Sequence, residues 1–201
     1  MGPIAGVTAE ETHERVLGSA ARVFARKSYD GASIADIASE AGVSSGAIYA
    51  HFASKAELFA ATLYAHGAHQ LERLLALGGT GSVIADLLRE RGVALAHRDP
   101  EDGSLLVEAI VAAKRHPEVA ALLISQFADR ESRFAELLRA GQRDGSVDGR
   151  LHPSAVARFV TMLVLGSVLV SAMDLPAVDR DEWSDLIVDL VARFTPRGPT
   201  T

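Results

Sequence analysis

The sequence predicts an all-α protein, and three observations support that fold class. Apolar residues recur at the i, i+3, i+4 spacing of an amphipathic helix along nearly the whole chain, as within residues 34–41. Residues suited to helix starts precede these stretches: Thr8 opens a capping-box sequence, and Pro117 and Pro153 are placed for a first helical turn. No stretch shows the alternation of a half-buried strand, and no segment repeats.

Four helices are predicted in the first 76 residues, each delimited by capping or turn residues. Gly42 is expected to end the second helix, because glycine adopts a left-handed backbone without steric cost. Ser44 and Ser54 are expected to cap the third and fourth helices. The predicted order is a helix from the Thr8–Glu11 capping box to about Lys27, a turn at Tyr29–Gly31, a short helix after Ser33, a third helix through Phe52, and a long helix from the Ser54–Glu57 capping box.

Longer helices are predicted in the rest of the chain. Residues 76–82, ALGGTGS, form the first break in composition and predict a loop. Four or five helices follow, one of them near residues 103–115. The two Asp-Gly pairs within residues 144–149 predict a break before the last two helices, and residues 174–176 predict the end of the penultimate one.

Composition restricts the class of protein. The net charge is −6, and residues 1–60 carry five Lys or Arg against seven Asp or Glu, which argues against a general nucleic-acid binder. The chain has no cysteine, which excludes disulfides, thiolate metal sites and cysteine nucleophiles. Residues 1–7 lack the basic and apolar regions of a signal peptide. A cytoplasmic location is therefore expected.

Residues 159–173 form a charge-free apolar stretch, FVTMLVLGSVLVSAM. A helix of this length reaches about 22 Å, which is short of a hydrocarbon core of roughly 30 Å, so no membrane span is predicted. A helix that is apolar on all sides is expected to be covered on all sides. One face is therefore expected to meet the core of the protein, and the other face a partner.

The most informative stretch is Ser33–Lys55, in which two short helices joined by a glycine-containing turn match a DNA-binding helix-turn-helix. Ala38 and Ala41 are small enough for the next helix to approach closely. The apolar underside of the unit is expected to consist of Ile34, Ile37, Val43, Ile48 and Phe52. The side chains then available to face the major groove are Ser45, Ala47, Tyr49, Ala50 and His51. For His51, packing beside Phe52 is an open alternative.

At these residues the sequence resembles the tetracycline-repressor (TetR) family of one-component bacterial regulators. The matching residues, in order, are Phe24, Tyr29-Asp30-Gly31, Ser33, Ile37-Ala38, Ala41-Gly42-Val43-Ser44, Gly46, Ile48-Tyr49, His51-Phe52, Lys55 and Glu57-Leu58. The close match covers about the first 60 residues, and the remainder matches as a helical layout. The resemblance implies a DNA-binding domain at residues 1–60 and a helical ligand-sensing and dimerisation domain at residues 61–201.

The resemblance also implies roles for individual residues of the helix-turn-helix. Ser33 and Ser44, at helix starts, are expected to bind DNA phosphates together with backbone amides. Tyr49 is expected to contact a phosphate or a base, and Lys55 a phosphate. The positions expected to approach base edges are Ser45, Gly46, Ala47 and Ala50. Because the two alanines present only methyl groups, direct readout would depend on thymine methyls and on the neighbouring polar side chains.

A ligand pocket is expected among the middle helices, as the resemblance implies. Glu108 interrupts an apolar helix, and an unpaired buried carboxylate is costly, so it is expected at a rim, paired with Arg130 or Arg133, or anchoring a ligand. The candidate pocket residues are Leu105, Glu108, Phe127, Arg130, Phe134, Met162 and Gly166. Ordinary core packing explains the apolar members equally well. The expected effector is an apolar or amphipathic small molecule that the sequence does not identify.

A homodimer is expected through the last two helices as a four-helix bundle, again as the resemblance implies. The apolar stretch at residues 159–173 supports this independently. The candidate interface residues are Leu163, Val170, Trp183, Leu186, Ile187 and Leu190. A twofold dimer presents two recognition helices to successive major grooves about 34 Å apart, so a palindromic double-stranded DNA operator is expected.

The resulting prediction is a dimeric transcriptional repressor released by a small-molecule effector. A DNA-binding regulator without an effector is the alternative, and a helical enzyme or interaction module is a remote one. No catalytic, metal or cofactor site is predicted. Residues 42–46 fit G-x-S-x-G but lack the strand that a hydrolase nucleophile needs. His66, His69 and Glu72 share a helix face that is interpreted as solvated, since no further metal ligand is indicated.

Overall fold

The computed structural model describes residues 8–76, 85, 88–90, 92–94, 100–173 and 175–194. All regular structure in these ranges is helical, which confirms the predicted fold class. The helices are α1 (Ala9–Gly31), α2 (Ile34–Ala41), α3 (Ser45–Tyr49), α4 (Lys55–Ala76), α5 (Pro100–Arg115), α6 (Pro117–Asp144), α7 (Pro153–Ala172) and α8 (Arg180–Ala192). Residues 88–90 and 92–94 are also helical. The loop predicted at residues 76–82 lies, apart from Ala76, outside the described residues.

Helix α1 begins at the predicted capping box and kinks close to its predicted end. The Thr8 hydroxyl accepts a hydrogen bond from the Glu11 amide at 3.1 Å, and the Glu11 carboxylate accepts one from the Thr8 amide at 2.7 Å. This reciprocal cap satisfies two donors that the helix leaves unpaired. Regular helical geometry breaks at Ser28, where φ is 60°, directly after the end predicted near Lys27, and a further helical segment then continues to Gly31.

The chain packs into two compact units that each have their own buried side chains. The N-terminal unit comprises Met1–Ala68 and Ser104–Gln126, and the C-terminal unit comprises His69–Gly103 and Phe127–Thr201. Sequence reasoning placed a boundary at residue 60 and did not group the later segment with the first helices. Parts of α5 and α6 therefore pack with the first helices, as the hydrogen bonds from the Tyr29 amide of α1 to Glu108 and from Gln126 to the Ala60 carbonyl of α4 illustrate.

The core of the N-terminal unit forms beneath the helix-turn-helix. Ile37 of α2, Ile48 of α3 and Leu58 of α4 are fully buried, as the helical periodicity predicts. Phe24 of α1 meets Phe59 of α4 edge to face, with ring centroids 4.6 Å apart. Removing any of these side chains is expected to cost about 2–5 kcal/mol of stability. Helix α3 is therefore anchored to the core of the N-terminal unit through Ile48.

The C-terminal unit is built around the turn that joins α6 to α7. Gly145 has φ +80°, and the amides of Ser146 and Val147 both donate to the Gly141 carbonyl, at 2.8 and 2.9 Å. Such a left-handed glycine satisfies the last carbonyls of a helix. Val147 then enters a buried cluster that consists of Phe134, Ala135, Leu138, Val147, Val156 and Ala157.

Gly92 provides a stability test of the C-terminal unit. A Cβ at Gly92 would lie 2.6 Å from Ile187 Cγ2 of α8, closer than side chains approach, while the Gly92 carbonyl accepts the Trp183 indole N–H at 2.7 Å. We expect Gly92→Ala to lower the free energy of unfolding by about 1–3 kcal/mol through overpacking. Chemical denaturation measures this change.

The matched control for Gly92→Ala is Gly18→Ala on α1. A Cβ at Gly18 would approach nothing nearer than Arg22 Nη1 at 3.8 Å, which is ordinary contact. Alanine favours helix over glycine, so this variant is expected to gain about 0.5–1 kcal/mol. Equal shifts in the two variants would show that helix propensity decides both and that the close approach to Ile187 does not matter.

Candidate nucleic-acid interface

Helix α2 is fixed at its start by a second capping box. The Ser33 hydroxyl accepts from the Asp36 amide at 3.1 Å, and the Asp36 carboxylate accepts from the Ser33 amide at 3.0 Å. Lys27 of α1 donates to the same carboxylate at 2.7 Å. The start of α2 is therefore bound to the preceding helix, and the Ser33 side chain lies exposed at its N-terminus.

These hydrogen bonds make the stability pH-dependent. Hydrogen bonding from Lys27 first, and from the Ser33 hydroxyl and amide next, lowers the pKa of Asp36 from 3.8 to about 2. A carboxyl whose pKa is lower in the folded than in the unfolded protein stabilises the fold above its unfolded pKa. That contribution is lost as the pH falls from about 4 to about 2.

We expect the melting temperature of the wild type to fall more steeply between about pH 4 and pH 2 than that of Asp36→Asn. Thermal melts at half-unit pH steps measure the two slopes. Asp185→Asn, at an exposed position on α8, is the control and should keep the wild-type slope. Parallel curves for Asp36→Asn and the wild type would show that this carboxylate does not contribute.

The turn between α2 and α3 is short and well defined. Gly42 has φ 66° and ψ 33°, as predicted for a left-handed helix end, and the Val43 amide donates to the Ala38 carbonyl at 3.0 Å. Ser44 caps α3, its hydroxyl accepting from the Ala47 amide at 3.1 Å. Helix α3 ends at Tyr49 and not, as predicted, at Phe52.

Helix α3 has one buried side and one exposed side. Ile48 is completely buried and anchors the helix to the core, whereas the Tyr49 side chain is 55% exposed. Gly46 and Ala50, one helical turn apart, are also exposed, and Ser45 and Ala47 are half-buried at the margin. The predicted base-facing residues thus form one narrow surface of small side chains beside a single aromatic ring.

His51 has the packing contact that sequence reasoning left open. Its ring meets His13 of α1 edge to face at 5.9 Å, and His13 in turn stacks on the buried Phe52 at 5.3 Å. The residue itself is exposed at the end of α3. A contact with DNA remains a prediction for His51, since packing leaves part of its ring accessible.

Lys55 is bound within the protein. Its ammonium donates to the carbonyls of Tyr29 at 2.8 Å and of Ala32 at 3.0 Å, and lies 4.3 Å from the centre of the Tyr29 ring. Two of its three N–H donors are therefore used at the connection between α1 and α2. The predicted phosphate contact of Lys55 stays a prediction.

Three other basic side chains of residues 1–60 are paired as well. Arg22 and Arg26 of α1 both bind the Glu40 carboxylate of α2, at 3.0 and 2.7 Å, and hydrogen bonds from Arg26 and then Arg22 lower the pKa of Glu40. Together with the Lys27–Asp36 pair, these contacts connect α1 to α2.

The candidate pocket residues fall in both units. In the N-terminal unit Leu105 is buried, and Glu108 accepts a hydrogen bond from the Tyr29 amide at 2.7 Å. In the C-terminal unit Phe134 belongs to the buried cluster, and Phe127, Arg130 and Gly166 are half-buried. Met162 is 63% exposed on α7. A ligand pocket formed by these residues stays a prediction.

The candidate dimer residues divide between the surface and the core. Val170 and Leu186 are about half exposed, at 48% and 49%, and Leu163 and Leu190 are half-buried. Ile187 is buried against Gly92, and Trp183 donates to the Gly92 carbonyl. Ile187 and Trp183 therefore contribute to the packing of the C-terminal unit itself.

Sequence reasoning expected an apolar face on the 159–173 segment, but of the exposed residues of that face it named only Val170 for the dimer interface. The exposed side chains Phe159, Met162, Leu169, Val170 and Met173 follow one another at helical spacing on one face. By length and composition α7 could cross a membrane, but one such apolar helix is weak evidence for a span. The absence of charge in residues 159–173 was the signal, and sorting that segment by helical position would have found the other exposed residues.

Among the described residues, no three His, Cys, Asp or Glu side chains group in a way that could hold a metal ion. The side chains of His66, His69 and Glu72 lie outside the described residues. The described residues form a helix-turn-helix whose second helix, α3, has an exposed side, followed by a helical C-terminal part. Such an arrangement is typical of a DNA-binding regulator.

Comparison with known families agrees with this class. The family model for bacterial regulatory proteins of the tetR family matches residues 16–62, and the model for the tetracyclin repressor-like C-terminal domain matches residues 77–191. The chain belongs to the TetR family of transcriptional regulators. In a comparison with curated proteins, none matched.

Solved structures share the fold. A TetR-family regulator from Rhodococcus sp. is 21% identical with a TM-score of 0.72, covering 93% of this chain and 100% of the other. SmeT, the repressor of the Stenotrophomonas maltophilia multidrug efflux pump SmeDEF, is 19% identical with a TM-score of 0.66, covering 96% of each chain. A Saccharomonospora viridis regulator in complex with choline is 20% identical with a TM-score of 0.65, covering 94% of this chain and 100% of the other.

Proposed function

We propose that this chain is a cytoplasmic repressor that binds a palindromic operator as a homodimer and is released by a small, largely apolar effector. The observation that carries the proposal is the recognition surface of α3. Gly46, Tyr49 and Ala50 are exposed on a helix whose other side is fixed by the buried Ile48. A helix presented in this way can enter the major groove of DNA.

Phosphate contacts are proposed at the two helix starts. The Ser33 and Ser44 side chains are exposed at the N-termini of α2 and α3, where backbone amides and the helix dipole favour an anion. Ser45, Ala47 and His51 border the same surface, and Lys55 stands at the start of α4. Sequence specificity would then come from Tyr49 and from methyl contacts with thymine.

The homodimer is proposed through the apolar face of α7 and the exposed part of α8. An isolated monomer rarely exposes a continuous apolar helix face of this kind. Leu163 and Leu190 are proposed to lie at the border of the interface with Val170 and Leu186. Twofold symmetry would then present two α3 helices to successive major grooves about 34 Å apart.

The effector is proposed to bind within the C-terminal unit, where Phe127, Phe134 and Gly166 offer apolar contacts and Arg130 a polar one. The Saccharomonospora viridis regulator in complex with choline supports a small-molecule effector for this fold. Binding would favour a state in which α4 carries the DNA-binding units to a spacing that no longer fits the operator. A regulator without an effector is the second candidate, and unchanged operator affinity across an effector screen would favour it.

Fluorescence anisotropy with the DNA that flanks the gene for this chain tests the proposal. We expect palindrome-dependent binding whose log Kd changes with log salt concentration at a slope of no more than about 3, because the paired arginines displace few counterions. Tyr49→Ala should weaken binding about tenfold or more without changing the melting temperature, since Tyr49 is exposed.

The salt slope separates two modes of binding. A slope of about 6 or more would mean that the arginines leave Glu40 and bind phosphates, which contradicts the amide-based contact. Absence of binding to flanking DNA, followed by failure of genomic DNA selection, would contradict the proposed function. The control for Tyr49→Ala is Ala121→Ser, because Ala121 is exposed on α6 and the substitution should change neither operator binding nor the melting temperature. Phe24→Tyr would not serve as a control, because Phe24 is buried.

A further inference from the structure

The end of α1 contains an unusual backbone conformation just before the helix-turn-helix. Among the residues that the structure describes, Ser28 is the one non-glycine residue with positive φ. Its φ of 60° and ψ of 170° lie in a region that almost only glycine occupies. A serine held in this conformation costs free energy, so contacts elsewhere must stabilise it. Ser33, which caps α2, follows only five positions later.

Glu108 provides the first of these contacts. At the kink the Tyr29 amide donates to Glu108 Oε1 at 2.7 Å, across 79 positions of sequence. A hydrogen bond from a backbone amide to a carboxylate is short and stronger than a neutral one. Glu108 lies half-buried on α5, so losing the carboxylate would leave the Tyr29 amide without this acceptor at a strained position.

Asp30 provides a second contact with the same later segment. Its carboxylate binds His116 Nε2 at 2.5 Å and Arg115 Nη1 at 3.2 Å, where α5 passes into α6. Hydrogen bonds from His116 first and from Arg115 next lower the pKa of Asp30. The His116 ring also packs against the Tyr29 ring, with centroids 4.9 Å apart. The Tyr29 amide, the Tyr29 ring and the Asp30 carboxylate thus all contact residues within 108–116.

Helix α4 contacts the same connection from another side. Lys55, at the start of α4, donates to the carbonyls of Tyr29 and Ala32, while Tyr29 packs on Phe59 at 5.1 Å. Residues 29–32 therefore have a backbone amide, two carbonyls and two side chains bound by residues of α4, by residues of α5 and by His116. All of these residues belong to the N-terminal unit.

We propose that Glu108, together with Asp30, is a positioning residue for operator binding. It stabilises the strained connection at residues 28–33, and through this connection residues 104–126 set the orientation in which α2 and α3 meet DNA. A change that withdraws Glu108 from the Tyr29 amide releases the kink and reduces operator affinity. This inference rests on the proposed function for its effect on DNA, but the contact itself can be tested without DNA.

The first test is hydrogen–deuterium exchange of the full-length protein without DNA. Glu108→Ala is expected to accelerate deuterium uptake about tenfold in a peptide that covers residues 28–33. Glu108→Gln should keep near wild-type uptake, because its amide oxygen can accept the same hydrogen bond. Adding Ser28→Gly to Glu108→Ala should restore slow uptake in part, since glycine adopts this conformation without strain. Unchanged uptake in Glu108→Ala would overturn the proposal.

The second test measures operator affinity for the same variants. Glu108→Ala and Asp30→Ala, which remove the acceptor oxygens, are expected to raise the Kd about tenfold, and Glu108→Gln to stay near wild type. Glu136→Ala is the charge-matched control, because Glu136 is exposed on α6 and pairs with Arg139 one turn away. Faster uptake in Glu108→Ala with a Kd equal to that of Glu136→Ala would overturn the positioning role. If the wild type bound no operator, the proposed function would fail, while the exchange result would still decide whether Glu108 holds the kink.

Discussion

Ala50→Glu is expected to lower operator affinity by more than about 100-fold without unfolding the protein. Ala50 is exposed at the end of α3, on the surface that it shares with Gly46 and Tyr49. A carboxylate there would face the phosphates of the major groove, and like charges brought together at an interface cost several kcal/mol. In the free protein the same side chain lies in water, so stability should change by only a few tenths of a kcal/mol.

Two companion variants make this result specific. Ala121→Glu adds the same charge at an exposed position of α6 and should reduce affinity by no more than about twofold, through the net charge alone. Ala50→Lys should retain binding but lose sequence preference, because a lysine binds backbone phosphates of any DNA sequence. Anisotropy with operator and scrambled duplexes measures both effects. Equal affinities for Ala50→Glu and Ala121→Glu would place the DNA surface elsewhere.

The boundaries of α2 were predictable because its signals are local. The Ser33–Asp36 capping box and the left-handed Gly42 act within a few positions, so their residue types fix the start and end of the helix. The backbone conformation at the end of α1 was not predictable in this way. No local propensity places a serine at positive φ, and the amide of the next residue, Tyr29, donates to Glu108, which is 79 positions away.

The candidate site was predictable in its outline and less so in its individual contacts. Helical spacing correctly placed Ile48 inside, whereas Lys55 has the residue type of a phosphate ligand but binds two backbone carbonyls. A cation satisfies either acceptor, and only the packing of α4 against α1 selects one. Likewise Leu186 and Ile187 belong to one apolar stripe, yet the close approach of Gly92 buries Ile187 and leaves Leu186 half exposed.

The charge of the chain has a consequence for how it would find its operator. Because Arg22 and Arg26 share Glu40, and Lys27 pairs with Asp36, these cations hold α1 against α2 and add little to long-range attraction for DNA. With a net charge of −6, binding to random DNA should be weak. Specificity can therefore be high even if affinity is modest, since the competing non-specific sites are suppressed.

Leu169→Glu is expected to convert the proposed dimer into a monomer and so to remove most operator binding. Leu169 is 47% exposed on the apolar face of α7, next to Val170 and one turn from Met173. A glutamate in the middle of such an interface would be buried without a partner, which costs about 3–5 kcal/mol. Sedimentation velocity at micromolar concentration should show the mass of one chain, and the loss of the second α3 should raise the operator Kd by more than about 100-fold.

Ile124→Glu is the matched control, because it replaces an exposed aliphatic residue with the same charge outside the α7 face. Ile124 is 69% exposed on α6, so this variant should keep the mass of a dimer and near wild-type operator affinity. Monomeric Leu169→Glu protein that still melts cooperatively would show that the C-terminal unit folds without a partner. If Leu169→Glu stayed dimeric, or if Ile124→Glu dissociated instead, the two chains would have to meet through a surface other than the exposed face of α7.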